Sequence, residues 1–373
     1  MTIAPRPRYR LAILRNEMDN DHAHWLKACE HLAERVDHEV VNLLEDKWSS
    51  ILREGRFDGL LMQPTGWSTR MKALYDKRAD MLHRQFALPM VPSWPEIAIY
   101  ENKRALAAWL KANDIPHPET HVFERADDAV TFLQDTAFPL VAKTSMGAGG
   151  SGVRILRSLE EAADYVDRTF HGPGAPRDSG PRWRKKGFAV RALRKLAHPA
   201  AVLERLREYR SIQRDPQRDH VLFQQFVPHT FEWRAVRIGD SFFAHKKLVH
   251  VDKASGSLLK EYGDPPKALL DFLRKITDNH GFRSVAIDLF EAPGTSPGAY
   301  PGYLVNEVQC VFGQSDPHQM IVNDVPGRYR WMNGAWLFEP GDLNRFESYL
   351  LRLEHMLDIL SASSPASTAP KAR

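Results

Sequence analysis

Phe138–Leu156 reads FPLVAKTSMGAGGSGVRIL. An apolar run ends at Lys143, a cluster of glycines follows, and a second apolar run starts at Val153. Glycine lets backbone N–H groups approach an anion closely, because no Cβ intrudes. Two apolar runs around a glycine loop predict a β-hairpin. Gly147, Gly149 and Gly152 fit G-x-G-x-x-G, but dinucleotide binding needs a helix after the loop. Here strand-like Val153–Leu156 follows, in mid-chain. A P-loop sets its lysine directly after the last glycine, and a protein kinase sets its lysine beyond the glycine hairpin. Lys143 precedes the loop, and no HRD or DFG is present. Two readings are left: a plain hairpin with a flexible tip, or a lysine holding phosphates as a point charge beneath a loop that folds over them.

The rest of the 373-residue chain narrows the choice. Hydrophobic residues make up 43% and charged residues 26%, an ordinary globular balance. A net charge of +4 is small for this length and does not argue for nucleic acid. The two cysteines, Cys29 and Cys310, form neither a disulfide framework nor a zinc pattern. MTIAPRPRYR lacks an apolar signal core, and no apolar run reaches membrane-spanning length. A cytoplasmic protein without a membrane partner is expected. The tail from Ser361, SASSPASTAPKAR, is disordered by composition.

Periodicity predicts strands at Tyr9–Leu14, Glu39–Leu43, Phe57–Met62 and Met90–Pro92. Between them fall helices at Asp21–Arg35, Trp48–Glu54 and Trp67–Phe86. On the first, Trp25, Leu26, Cys29, Leu32 and Ala33 share a side. This alternation argues for a parallel sheet covered by helices. Pro95–Asn113 reads as one helix with Lys103 near its middle. Val122–Arg125 reads as a strand, and Ala126–Gln134 and Leu159–Phe170 as helices. His171–Pro181 is a loop, and 182–218 is strongly basic. Strands return at Val221–Val227, Phe231–Ile238, Ser241–Val249, Ser284–Glu291 and Tyr303–Cys310, with a helix at Lys267–Asn279.

A lysine before a glycine hairpin resembles the ATP-grasp ligases: glutathione synthetase, D-alanine–D-alanine ligase, biotin carboxylase and the ribosomal-protein glutamate ligases. The remaining motifs follow in the family's order, over roughly Tyr9–Gln319. Glu101-Asn102-Lys103 leads to the turn Asn113-Asp114-Ile115-Pro116-His117-Pro118, so Lys103 matches the first nucleotide lysine. Lys143 matches the second, and Gly147, Gly149, Gly150, Ser151 and Gly152 the loop over the phosphates. In HVLFQQFVPHTFEWRAVRIGD, Gln225, Phe226 and Val227 match the adenine-reading hinge, and Glu232 the ribose acceptor. Glu232 and Arg234, two apart on a strand, share a face. Lys247 stands where the family has an arginine contacting the phosphates or the acyl group. It keeps the charge and loses the bidentate fork.

The resemblance implies a metal site from an acid on one strand and Glu-x-Asn on the next. SVAIDLFE supplies Asp288; YLVNEVQC supplies Glu307 and, in place of Asn, Gln309. The link APGTSPGAYPG allows antiparallel pairing, and symmetry about Pro297 sets Asp288 near Glu307. Hard oxygen donors suit Mg²⁺, and a carboxylate on an apolar strand is costly without a cation. A surface-facing Glu and Gln on an edge strand is the bland alternative.

The implied fold is α/β and α+β. A Rossmann-like pre-ATP-grasp domain (1–97) precedes a two-lobed ATP-grasp domain (98–360). Its lid lobe is about 120–228 with a basic insert 171–220, its metal and substrate lobe 229–360, and its tail 361–373. The implied cofactors are ATP and two Mg²⁺ ions, with Mn²⁺ as an alternative. The implied reaction is ATP-dependent carboxylate–amine ligation through an acyl phosphate, with Arg234 and Lys247 as catalytic cations and an amino acid or peptide as amine. Two alternatives stay open: a small-molecule phosphotransferase, and a nucleotide-binding protein with a degenerate site, prompted by Gln309 and Lys247. The insert RWRKKGFAVRALRK (182–195) reads as a solvated segment, a cradle for an acidic substrate, or, least of all, a nucleic-acid patch. Asp316, His318, Arg328 and Arg330 are candidates for the substrate side. Homodimers are common in the family.

Overall fold

The computed structural model describes residues 8–16, 20–66, 68–147, 151–176, 215–250, 253–254, 259–292, 302–312 and 316–363. Gly149, Gly150, the strand link 293–301 and the basic segment 177–214 lie outside them. The chain divides into two compact units. One holds residues 1–65, 73–100 and 229–373; the other holds 66–72 and 101–228.

The first unit begins with β1 (Tyr9–Arg15), α1 (Ala23–His31), β2 (Val36–Asn42), α2 (Trp48–Glu54), β3 (Gly59–Met62), α3 (Thr69–Gln85, in this unit from Ala73 onward), β4 (Met90–Val91) and α4 (Trp94–Ile99). The four strands form a parallel sheet in the order β2-β1-β3-β4. β1 and β3 are covered on both faces, which is why they read as unbroken apolar runs. On one face Ala12, Leu14, Leu60 and Met62 pack with Trp48, Leu52, Tyr75 and Leu82. On the other, Leu11, Ile13 and Leu61 pack with Trp25 and Cys29 of α1. Ala33, expected on the buried side of the first helix, lies past its end and is exposed, because α1 stops at His31.

The same unit continues with β9 (Phe231–Ile238), β10 (Ser241–His250), β11 (Lys253–Ala254), β12 (Lys260–Glu261), α8 (Lys267–Asn279), β13 (Ser284–Glu291), β14 (Tyr303–Gln309), β15 (Ile321–Val322), β16 (Val325–Met332), β17 (Ala335–Pro340) and α9 (Tyr349–Ser363). Nine strands form a sheet with the path β14-β13-β9-β10-β16-β15, β11 and β12 adding to β10 and β17 to β16. α8 lays Leu269, Leu270, Leu273 and Ile276, spaced as one helical stripe, toward the core. α9 returns to the parallel sheet, where Leu353, Met356 and Leu357 share the cluster of Leu11 and Ile13. Residues 361–363, expected as the start of a disordered tail, are the exposed end of α9, where the Ser361 and Ser363 hydroxyls donate to the Leu357 and Ile359 carbonyls.

The second unit carries α5 (Lys103–Ala112), β5 (Thr120–Phe123), α6 (Ala126–Gln134), β6 (Leu140–Lys143), β7 (Val153–Leu156), α7 (Leu159–Phe170) and β8 (Val221–Gln225). Its antiparallel sheet runs β5-β8-β6-β7. Ala129 and Leu133 of α6 and Ala162, Tyr165 and Val166 of α7 pack on Leu140, Ala142 and Phe223. α7 starts where the Ser158 side chain accepts the Glu161 N–H, with Glu160 and Glu161 in the first turn.

The single helix expected over Pro95–Asn113 is two helices. The break falls at Tyr100–Asn102, where Glu101 adopts a left-handed backbone with φ +46°. Asn102 then caps α5, its Oδ1 accepting the Ala105 N–H at 3.1 Å. Lys103 is therefore the first residue of α5, not a mid-helix residue. The boundary expected between 97 and 98 falls inside α4, and the two units divide after Tyr100.

Candidate active site

In the second unit the expected hairpin forms, with Lys143 opposite Val153 and Leu140 opposite Leu156. Leu140 and Ala142 face the helices, so alternation along β6 turns Lys143 to the other face. Lys143 and Lys103 are both buried. Thr144 N–H closes the mouth of the loop by donating to Gly152 O at 2.9 Å. A Cβ on Gly152 would collide with Thr144 Oγ1, so this position admits only glycine without a shift. Gly147 faces Gly152 across the mouth: a Cβ there would lie 3.2 Å from Gly152 N. The Gly147 N–H, expected to face phosphate, donates to Glu101 Oε2 at 2.9 Å. Gln225 ends β8, its N–H bonded to Glu119 O at 2.8 Å, and half-buried Phe226 and Val227 follow.

In the first unit, register gathers the charged residues onto one sheet face. Asp288 pairs with Arg234 on β9 and with Glu307 on β14; Arg234 pairs in turn with His245 on β10. One row across four strands is thus Glu307, Asp288, Arg234 and His245, and Glu232 opposite Lys247 extends the same face. Arg234 Nε donates to Asp288 Oδ1 at 2.8 Å and its Nη2 to Oδ2 at 2.9 Å. Lys247 Nζ donates to Asp288 Oδ2 at 2.7 Å and to Glu232 Oε2 at 2.8 Å. Gln309 Oε1 lies 3.5 Å from Arg234 Nη2.

Burial of Asp288 favours its neutral acid, but the Arg234 and Lys247 charges outweigh that and hold its carboxyl well below the usual carboxylate range. Burial of Lys247 favours the neutral amine, and Asp288 overcomes it, so the lysine pKa rises. His245 is the opposite case. Burial, then the cations Arg234 and Lys260, push its imidazole down to about 3. Its Nδ1 lies 3.0 Å from the Gln319 carbonyl O, so the neutral ring donates there.

A bulge sits beside this row. Pairing steps from Asp288–Glu307 to Leu289–Val305, leaving Asn306 as the extra residue of β14. Asn306 Nδ2 donates to Glu232 Oε1 at 3.1 Å, so protein groups engage both oxygens of the expected ribose acceptor. Sequence reasoning passed over Asn306, because nothing local marks a bulge. It also passed over Glu101, whose position just before the Asn102 cap was the available signal.

Asp288, Glu307 and Gln309 come from adjacent strands as expected, and their hard oxygen donors suit Mg²⁺. Asp288 already holds two cations. Among the described residues no cluster of three or more His, Cys, Asp or Glu is placed to hold a metal ion. The substrate-side candidates divide. Asp316 accepts from Lys260 at 2.7 Å and Tyr262 at 3.2 Å. His318 Nδ1 lies 3.8 Å from Asp342. Arg328 and Arg330 instead pair with Glu339 of the neighbouring β17, at 2.8 and 3.4 Å, because the antiparallel register brings that carboxylate alongside. Among the described residues no helix is long and apolar enough to cross a membrane.

Residues 102–176 match the family described as the carbamoyl-phosphate synthase L chain, ATP binding domain. A carbamoyl phosphate synthase large chain of Helicobacter pylori is 27% identical over 122 residues, 33% of this chain and 11% of that one. The chain thus spans about a tenth of the length of the curated relatives it matches. Among solved structures, carboxyaminoimidazole ribonucleotide synthase from Aspergillus clavatus with ATP superposes with a TM-score of 0.51 at 10% identity, covering 94% of this chain and 77% of that one. The biotin carboxylase domain dimer of Hydrogenobacter thermophilus 2-oxoglutarate carboxylase, with MgADP and bicarbonate, gives 0.51 at 12% identity, covering 84% and 66%. The glycine hairpin, the charged sheet face and these superpositions agree: the chain has the fold of the ATP-grasp superfamily.

Proposed function

We propose that this protein is an ATP-dependent carboxylate–amine ligase. The observation that carries the reading is the row Glu307, Asp288, Arg234 on one sheet face, with Lys247 between Asp288 and Glu232. Such a face offers oxygen donors for a metal beside cations for a phosphoryl or acyl group. The parallel sheet at the start of the chain is read as the family's Rossmann-like pre-domain.

In this reading Lys103 and Lys143 hold phosphate oxygens, the glycine loop covers them, and Gln225–Val227 contact adenine. Asp288, Glu307 and Gln309 would hold Mg²⁺, and a bound ion would neutralise charge on the triphosphate. Arg234 and Lys247 then shift some of their pairing from Asp288 to the transferring group. A substrate carboxylate attacks the γ-phosphorus, giving an acyl phosphate and ADP; an amine displaces phosphate and forms the amide. Exclusion of water protects the acyl phosphate. Positioning and charge suffice, so no covalent nucleophile is required.

The test is an ADP-release screen of amino acids and small carboxylates with Mg-ATP, followed by mass analysis. The expected products are ADP, phosphate and an amide. A phosphate ester as the product, or nucleotide binding with no turnover for any pair, would overturn the ligase reading.

A further inference from the structure

The stem of the glycine hairpin is fastened from two sides by side chains that the nucleotide reading leaves without a role. Gln217 is buried, and its amide acts as a strand would. Its Oε1 accepts the Met146 N–H at 2.9 Å and its Nε2 donates to Met146 O at 2.7 Å. Thr144 Oγ1 also donates to Met146 O, at 2.7 Å. From the other side, buried Glu101 accepts the Gly147 N–H. The next two residues continue the attachment: Lys103 N–H donates to Ser145 O at 2.9 Å, and Asn102 Oδ1 lies 3.4 Å from Ser145 Oγ.

Four consecutive residues, Thr144–Gly147, therefore have their backbone directed by Glu101, by Lys103 at the start of α5, by Gln217 and by the loop's own closing bond. Glu101 does this from a left-handed backbone, φ +46°, which a non-glycine residue adopts at a cost. A strained residue whose side chain ends on the loop stem points to a positioning task.

We propose that Glu101 and Gln217 are positioning residues that set the glycine hairpin, and with it the spacing of Lys103 and Lys143, for a nucleotide triphosphate. The inference rests on the reading above, because the triphosphate is its ligand. Through the Lys103–Ser145 bond, the first lysine is tied to a residue two beyond the second. Loosening the stem lets both lysines drift, and electrostatic grip on phosphates weakens steeply with misplacement.

The experiment combines amide hydrogen exchange on the nucleotide-free protein with Mg-ATP binding by calorimetry. Glu101→Ala and Gln217→Met are compared with Glu101→Gln, whose amide oxygen still accepts from Gly147. The first two are expected to speed exchange at Met146 and Gly147 at least tenfold, with β9 and β13 amides unchanged, and to weaken Mg-ATP about tenfold. Glu101→Gln is expected to restore both to within about threefold of wild type. Unchanged exchange in Glu101→Ala and Gln217→Met shows there is no clamp and overturns the proposal. Faster exchange with unchanged Mg-ATP affinity shows a clamp that positions nothing, and also overturns it. Wild-type protein that binds no Mg-ATP while showing the exchange pattern overturns the nucleotide reading instead, and this inference with it. Should Gln217→Met fail to fold, the Glu101 pair decides alone.

Discussion

Asp288 and Arg234 face each other across β13 and β9 and close a two-pronged ion pair, 2.8 and 2.9 Å, with Asp288 almost wholly buried. The pair makes the aspartate acid-sensitive in a definite direction. Its folded pKa lies below its unfolded value, near 4. Its contribution is present above about pH 4 and is lost as pH falls, because the unfolded chain takes up a proton that the folded chain refuses. Asp288→Asn is expected to abolish ATP-dependent turnover and to flatten the acid limb of stability by up to about 1.4 kcal/mol per pH unit. Urea unfolding from pH 7 to 3 checks it; an unaltered slope counts against the pairing.

Lys247 separates two buried carboxylates. Replacing it with methionine keeps the volume and leaves Glu232 beside Asp288 with one cation fewer. Removing one partner of a buried pair costs about 3–5 kcal/mol. Lys247→Met should lose that much in denaturant melts, and Lys247→Arg should recover part of it. A variant as stable as wild type would show that the network contributes little.

Burial keeps the His245 ring neutral. With a folded pKa of about 3 and an unfolded value near 6.5, it destabilises the fold as pH drops through that window. Asparagine keeps a donor for the Gln319 carbonyl and cannot take the proton. His245→Asn is expected to make stability less pH-dependent between pH 6 and 4, by about 1.4 kcal/mol per unit. Chemical denaturation at three pH values reads it, and equal slopes refute it.

Gly152 sits against Thr144. Gly152→Ala must push that side chain or the loop aside, at a cost of about 1–3 kcal/mol. It should weaken Mg-ATP binding more than it lowers the melting temperature of the whole chain. Thr144→Ala in the same protein removes the colliding oxygen and should return part of the affinity. No rescue would mean that the two residues do not meet.

Much of this was legible from local pattern. Period-2 and period-3.6 spacing located β9, α2, α6, α7 and α8, and symmetry about Pro297 set Asp288 near Glu307, with which it pairs. Other features depend on information that local pattern lacks. The break before Lys103 rests on one left-handed residue, Glu101, whose type gives no warning of it. The β16–β17 hairpin passed unnoticed although Arg328-Tyr329-Arg330-Trp331 alternates as a strand should; the two arginines were read as substrate-side cations, and they find Glu339 only once the strands pair. α9 has a plain apolar stripe at Leu353, Met356, Leu357 and Leu360 and could have been found. The bulge at Asn306 follows from pairing between strands, and no single strand encodes it.

The placement of α9 against β1 bears on synthesis. Leu11 and Ile13 share a cluster with Leu353, Met356 and Leu357, which follow them by at least 340 residues (353 − 13). On the ribosome the part of that oily surface that α1 does not cover stays open until those residues follow. A fragment ending before Tyr349 would be released with that part exposed, and should bind hydrophobic dyes and holdase chaperones more than the intact chain does.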